Sequence, residues 1–356
     1  MMKDSVQSIE RRAAKVLEAF LSSIPGLAIK QLEREPDLAQ ADRPDLVATL
    51  SYAGKPLVLV VEVKGSGQPK IVREAARQAK RAIAHAGSNA VPMIMAPYLS
   101  EQAQDVCRDE QVAFLDFMGN SRVSFGTVYV ERRVEGRPEP ERRALRSLFK
   151  PKSARILRAM LHMPDRHWRV VELAHDVEVS LGLVSTVGKA LRERDWADQD
   201  EEGLYLTDPD RLLDAWAQDY EPPRGEEVRL YTHLHGKQLV EKLKGLTPGD
   251  GRVALASYSA AEWLAPYARH ATSFFYADER GLGSLQTLLA LSTPPRGANV
   301  VIRVPDDGGV LRDAQRVADG LVATSPVQTY LDLLHAGERG EEAAKHLREE
   351  LLQWRT

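Results

Sequence analysis

Apolar residues recur along this chain with two periods, and the switches between them divide it. At the front, Val6, Ile9, Val16, Leu17, Phe20 and Leu21 share one helical stripe of residues 5–22, which Pro25-Gly26 ends. Strand-like runs follow at 27–32, 45–52 and 57–64. The last two are joined by Ala53-Gly54-Lys55-Pro56, which predicts a hairpin. A helical period returns over 71–86, then a strand at 90–95, a helix at 100–110 capped by Ser100, and strands at 112–117 and 122–130. The predicted order is α-β-β-β-α-β-α-β.

The middle of the chain changes character. Residues 153–162 place Ile156, Leu157, Met160 and Leu161 on one helical face just after Pro151, and Met163-Pro164-Asp165 makes a turn. A short helix is expected over 171–176. Ser180 stands at an N-cap position for a third helix over 181–194, with Val184, Val187 and Leu191 directed inward. Gly182, Ser185, Thr186, Lys189 and Glu193 fall on its opposite stripe. Residues 196–207, with a turn at Glu202-Gly203 and apolar Leu204 and Leu206, complete a winged helix-turn-helix. If the module binds DNA, its third helix is the expected reader, with Ser180, Ser185, Thr186, Lys189 and Arg192 as candidate contacts; the competing readings are helices and a hairpin that only fill a core, or a protein–protein module. Asp198, Asp200, Glu201 and Glu202 load the hairpin tip with negative charge, so phosphates should repel the wing.

A helix over 211–220 and the linker Glu221-Pro222-Pro223-Arg224-Gly225 lead into a third region. Strands are predicted at 228–236, 253–257, 273–277 and 299–304, and helices at 260–268 and 284–291. Ser325-Pro326-Val327-Gln328 reads as a capping box opening a helix over 327–335, and 340–354 is the last helix. The fold class is multidomain α/β. Its predicted parts are 1–131, a basic linker 132–150, a winged module 151–220 and a C-terminal α/β domain 226–356. His233-x-His235 lacks a nearby third ligand and reads as ordinary histidines.

Composition narrows the class. Of 356 residues, 28% are charged and 43% hydrophobic, and no run approaches a membrane span. The opening residues lack the apolar core of a signal peptide, and a single Cys107 excludes an intrachain disulfide and a cysteine-based zinc site, so a cytoplasmic protein is expected. The net charge of −3 is unevenly spread. Residues 122–158 hold eleven basic and four acidic side chains, among them Arg142, Arg143, Arg146 and Lys152, which could follow a phosphate backbone. The bland reading is a solvated spacer. The adjacent helix-turn-helix favours phosphate contact.

Chemistry enters through the predicted hairpin, where Pro44-Asp45 opens one strand and Glu62-Val63-Lys64 ends the next. Alternation puts Glu62 and Lys64 on one face. Asp45 and Glu62 could hold Mg²⁺ while Lys64 orients a water or steadies a phosphate. Set within an αβββαβ order, and with Gln78 on the following helix, these residues resemble the PD-(D/E)XK nuclease superfamily over about residues 1–131. The resemblance implies a restriction-endonuclease-like fold and a catalytic set of Asp45, Glu62, Lys64 and Gln78. Glu10 and Glu18 are the candidates for a further acid on the first helix. An ordinary exposed ion pair, or a nuclease-like fold that only grips DNA, are the competing readings.

A second resemblance covers about residues 150–354, in the stretches PKSARILRAMLHMPDRHWRVVELAHDVEVSLGLVSTVGKALRERDW, YTHLHGKQLVEKL, ALASYSAAEWLAPYA and TSPVQTYLDLL. These are similar to the AbiEi-type antitoxins of bacterial abortive-infection and type IV toxin–antitoxin systems. The similarity implies a winged helix that represses its own operon and a C-terminal domain that counters a nucleotidyltransferase toxin. The leading expectation is therefore a regulator that binds double-stranded DNA, with a cognate toxin or a second copy of itself as protein partner and no required cofactor. The alternative is a Mg²⁺-dependent endonuclease aimed by the winged helix.

Overall fold

The computed structural model describes residues 2–34, 43–83, 89–125, 128–267, 270–293 and 297–354. Two compact units emerge: Met1–Arg142 with Arg192–Asp195, and Arg143–Leu191 with Trp196–Thr356. Among the described residues no helix is long and apolar enough to cross a membrane.

The first unit is built on one sheet. Helix α1 (Met2–Ser22) precedes β1 (Leu27–Arg34), β2 (Leu46–Tyr52) and β3 (Lys55–Val63); α2 (Pro69–Ile83) leads to β4 (Ala90–Ala96), and α3 (Glu101–Asp109) to β5 (Ala113–Asp116), β6 (Ser121–Phe125) and β7 (Val128–Arg132). The seven strands lie side by side in chain order, antiparallel except that β3, β4 and β5 run parallel. The expected αβββαβ order is therefore present. Ala53 and Gly54 both take positive φ, the requirement of a tight two-residue hairpin turn between β2 and β3.

Burial on both faces explains the near-continuous apolar runs of β3 and β4. On one face Ala13, Leu17 and Leu21 of α1 meet Leu59, Val61, Met93 and Met95. On the other, Val72, Ala75 and Ala76 of α2 and Ala103 and Cys107 of α3 meet Ile94 and Phe114. Successive residues of β3 thus serve opposite layers. The predicted strand over 122–130 is instead a hairpin of β6 and β7, and residues 84–86 of the predicted second helix lie outside the described residues.

The expected basic linker 132–150 is largely a helix, α4 (Glu139–Leu148). The reason is its hidden apolar side: Leu145 and Leu148 are buried, and the adjacent Phe149 stacks on Trp216 with ring centroids 5.7 Å apart. The spacer reading overlooked these residues among the arginines.

In the second unit, α5 (Pro151–His162), α6 (Val170–Asp176) and α7 (Leu181–Glu193) precede a hairpin of β8 (Ala197–Gln199) and β9 (Leu204–Leu206), then α8 (Pro209–Gln218). Trp168 pairs with Leu204 and adds a third short strand position. Three helices followed by a hairpin is the order that the sequence predicts for this stretch. Ile156, Leu157, Met160, Leu173, Val184, Val187 and Leu191 form its core as the periodicity requires. Gly188 is buried rather than on the open stripe, because a Cβ there would sit 3.0 Å from Leu204.

The remaining elements are β10 (Gly225–Leu230), α9 (Lys237–Leu243), β11 (Val253–Leu255), α10 (Ser257–Leu264), β12 (Ser273–Ala277), α11 (Glu279–Leu288), β13 (Val300–Pro305), α12 (Gly309–Arg312), β14 (Gln315–Ala318), β15 (Leu321–Ala323), α13 (Pro326–Leu334) and α14 (Glu338–Leu351). Their six-stranded sheet has the order β10-β13-β12-β11-β15-β14. The predicted strand at 228–236 proves shorter and earlier, and α9, α12, β14 and β15 had no counterpart in the hydrophobic pattern. Val327, Tyr330 and Leu331 of α13 and Ala344 and Leu347 of α14 join the same buried cluster as the three-helix module. One buried cluster therefore spans the three-helix module, α13 and α14, while the six-stranded sheet keeps a core of its own.

Candidate functional site

Four residues singled out in the sequence meet at the end of β3. Glu62 and Lys64 face the α2 layer, since Leu59, Val61 and Val63 point to α1. Lys64 Nζ donates to Glu62 Oε2 at 2.8 Å and to Gln78 Oε1 of α2 at 3.2 Å. Asp45 stands just before β2, and its Oδ2 accepts from the Val63 amide at 2.7 Å. Burial pushes the Glu62 carboxyl up to about 7, against the opposing pull of the Lys64 ammonium, and the neighbouring Asp45 adds to the rise. Glu62 is 0% exposed, and its Oε1 is buried without a hydrogen-bond partner.

That orphan oxygen tests the fit of a cation. Two carboxylates, one with a buried unsatisfied atom, suit Mg²⁺, which takes one or two protein carboxylates and completes its shell with water and phosphate. Asp45 and Glu62 would hold it, and the ion would polarise a phosphoryl oxygen and lower the pKa of a bound water. Among the described residues no group of three His, Cys, Asp or Glu is placed to hold a metal. Glu18 is exposed and Glu10 half-buried on α1.

The candidate DNA contacts divide into an open set and a partly closed one. Ser180, Ser185, Thr186 and Lys189 are exposed, together with Gly182. Ser180 caps α7 as expected, its Oγ accepting from the Leu183 amide at 3.3 Å. Thr186 Oγ1 turns back to the Gly182 carbonyl at 2.8 Å. Arg192 departs from the expected contact set: it is half-buried, and its Nε is closed off without a partner. Arg142, Arg143 and Arg146 are exposed on α4, and Lys152 is exposed at the start of α5. The hairpin tip is as acidic as the sequence implied, with Asp200 also accepting from the Glu202 and Gly203 amides.

Sequence reasoning missed a second polar centre, inside the second unit. Asp332 Oδ1 on α13 accepts from Tyr220 at 2.5 Å, Tyr276 at 3.1 Å and Gln328 Nε2 at 3.0 Å. One oblique signal was present, the supposed capping box. Ser325 does accept from the Gln328 amide, at 3.4 Å, but the Gln328 side chain turns inward instead of reaching back to the cap.

With this geometry in view, the decisive comparison concerns the second unit. Residues 205–353 match the family described as transcriptional regulator, AbiEi antitoxin, type IV TA system. The AbiEi match begins within β9 and takes in α8 and the six-stranded sheet, leaving α5, α6 and α7 in front of it. No curated protein matches the chain. Among solved structures, one titled "Structure of EndoMS in apo form" is 16% identical, with a TM-score of 0.22; the similarity covers 29% of this chain and 45% of that one, less than half of its length.

Proposed function

We propose that the protein is a DNA-binding transcriptional regulator of the AbiEi antitoxin type. The observation that carries this reading is the AbiEi match over residues 205–353. It is supported by the exposed stripe of Gly182, Ser185, Thr186 and Lys189 on α7, small side chains beside one cation, which a duplex groove can approach closely. In this proposal α7 reads base edges in a winged module of residues 151–220, and Arg142, Arg143, Arg146 and Lys152 contact phosphates without regard to sequence. The C-terminal part, 226–356, meets a protein partner, a nucleotidyltransferase toxin by analogy with the family. A homodimer would match a palindromic operator. The test is a gel shift on the DNA upstream of its own reading frame, beside unrelated duplexes. Equal affinity for all of them rejects the regulator.

A second reading is favoured by the cluster of Asp45, Glu62, Lys64 and Gln78. It is a Mg²⁺-dependent endonuclease in the nuclease-like part, residues 1–131. Asp45 and Glu62 would hold the ion, Lys64 would steady the scissile phosphate or orient the attacking water, and Gln78 would fix the ammonium. Incubation with plasmid, single strands and methylated DNA in Mg²⁺ or Mn²⁺ decides it. Cleavage that Lys64→Met abolishes while DNA affinity persists supports the enzyme, and absence of cleavage leaves the same residues as phosphate-gripping groups.

A further inference from the structure

One face of the six-stranded sheet is polar and aromatic where a fold of this kind would ordinarily bury aliphatic side chains. Alternation explains how it arises: Val228 and Leu230, Val300 and Ile302, and Phe275 and Ala277 point to the aliphatic core, so the intervening residues point the other way. Register then sets them in rows. Glu227 lies opposite Arg303, which neighbours Tyr276; Arg229 lies opposite Val301, which neighbours Phe274. Above these rows is a cavity of about 410 Å³, closed by Tyr258 at the start of α10 and by Asp332 of α13. That volume falls in the range of small-molecule sites.

Three features of the cavity call for a ligand. First, Arg229 and Arg303 flank the carboxylate of Glu227 and present two planar guanidiniums, the geometry that suits phosphate; Asp332, the other carboxylate of the lining, balances their charge only when ionised. Second, Tyr258, stacked on His270 with centroids 4.2 Å apart, and Phe274 offer aromatic faces to a planar ring. Third, Asp332 is among the lining residues and carries a buried oxygen that has no partner. Its Oδ1 has three donors, but Oδ2 is buried and accepts nothing. A buried acceptor left unpaired is costly and is satisfied by an N–H group.

We propose that this cavity binds a mononucleotide, its phosphate against Arg229 and Arg303, its base along Tyr258 and Phe274, and a base N–H donated to Asp332 Oδ2. A nucleotide combines an anion, a planar ring and an N–H edge in one molecule; a simple organic acid lacks the ring, and a neutral aromatic lacks the anion. The site is separate from Asp45 and Glu62 and does not depend on DNA reading by α7.

Calorimetric titration of the full chain with GMP, AMP, CMP and UMP tests the assignment, with inorganic phosphate, the corresponding nucleosides and a 5′-phosphorylated oligonucleotide as further arms. At least one mononucleotide should bind saturably, about tenfold or more tighter than phosphate or its own nucleoside. Binding of the oligonucleotide in place of free mononucleotides would identify the source as a nucleic-acid end, provided the same variants weaken it. Arg229→Ala, at an exposed position, and Asp332→Asn, which turns the unpaired acceptor into a donor, should each weaken the preferred nucleotide about tenfold. Thermal melts establish that each variant is folded, and Arg229→Ala keeps the test decisive if Asp332→Asn is not. No saturation by any nucleotide arm up to about 1 mM overturns the proposal, as does binding that Arg229→Ala leaves unchanged.

Discussion

Arg158, on the first helix of the three-helix module, donates through Nη1 to Gln328 Oε1 of α13 at 3.2 Å, and Gln328 Nε2 passes the link to Tyr220 at 2.7 Å. The same guanidinium pairs through Nε with Asp313. Arg158 is 4% exposed, so removing it leaves the buried Gln328 carbonyl oxygen without this donor and Asp313, 28% exposed, with Ser325 alone. Arg158→Met should cost about 1–3 kcal/mol in urea unfolding, since it leaves a buried amide oxygen without its donor and a half-buried carboxylate without its cation. Arg158→Lys should recover little, because one ammonium cannot serve both acceptors with a fork's geometry. A loss below about 1 kcal/mol for the methionine variant would show that this link does not fasten the helix.

The hairpin after α7 depends on one glycine. Gly203 has φ +152°, and a Cβ there would lie 2.5 Å from the Trp168 carbonyl oxygen. The obstacle is backbone, and that backbone is itself paired with Leu204 in both directions, at 2.8 and 2.9 Å. Gly203→Ala should therefore destabilise the second unit by about 1–3 kcal/mol and lower its melting temperature. An unchanged melt would mean that the hairpin and Trp168 separate at little cost.

The sequence made the alternating layers of the first unit legible because helix and strand periods differ, and the catalytic-looking set was legible because Glu62-x-Lys64 must share a strand face. Gln78 joined it only through α2 packing, which the αβββαβ order anticipates. The helix at 139–148 was obscured by charge: three arginines mask Leu145 and Leu148, whose burial comes from tertiary packing. The short β14 and β15 carry too few residues for a period to register. The Asp332 centre was hard to read because Tyr220 and Tyr276 lie far in sequence from Gln328 and Asp332, and nothing local distinguishes a buried carboxylate on an amphipathic helix from a solvated one.

The two groups of proposed DNA contacts should respond differently. Lys189→Ala, on the open stripe of α7, should relax discrimination between the preferred site and other duplexes by about 1–3 kcal/mol if Lys189 meets a base. Replacing Arg142, Arg143 and Arg146 together with Ala should weaken every duplex alike and flatten the salt dependence by about three phosphate contacts. Fluorescence anisotropy at several salt concentrations separates the two effects. A sequence-selective loss from the arginine variant, or none from either, would sink this division of labour.

Asp332 gives the second unit a pH dependence with a definite sign. Burial raises its carboxyl to about 6, outweighing the hydrogen bonds from Tyr220, Gln328 and Tyr276 and the nearby Arg303 charge. The tyrosines are themselves pushed well above their ordinary range, so they stay neutral and donate to Oδ1. With an unfolded value near ~3.9, the folded state holds its proton more tightly; the stabilisation is fully present below about pH 4 and is lost as pH rises through about 6. Above that, the ionised carboxylate is a burden on the order of 2–3 kcal/mol, because Oδ2 carries charge without a donor. Asp332→Asn removes the titration while keeping an acceptor toward the tyrosines. In urea unfolding at pH 5 and pH 7.5, the stability difference between wild type and variant should shift toward wild type at pH 5 by about 1 kcal/mol, the portion of the proton linkage that falls between those values. A difference that is constant with pH, or that shifts toward the variant at pH 5, would rule out a raised Asp332 carboxyl. A nucleotide N–H on Oδ2 should favour the ionised form, so a saturating nucleotide should reduce the same pH shift.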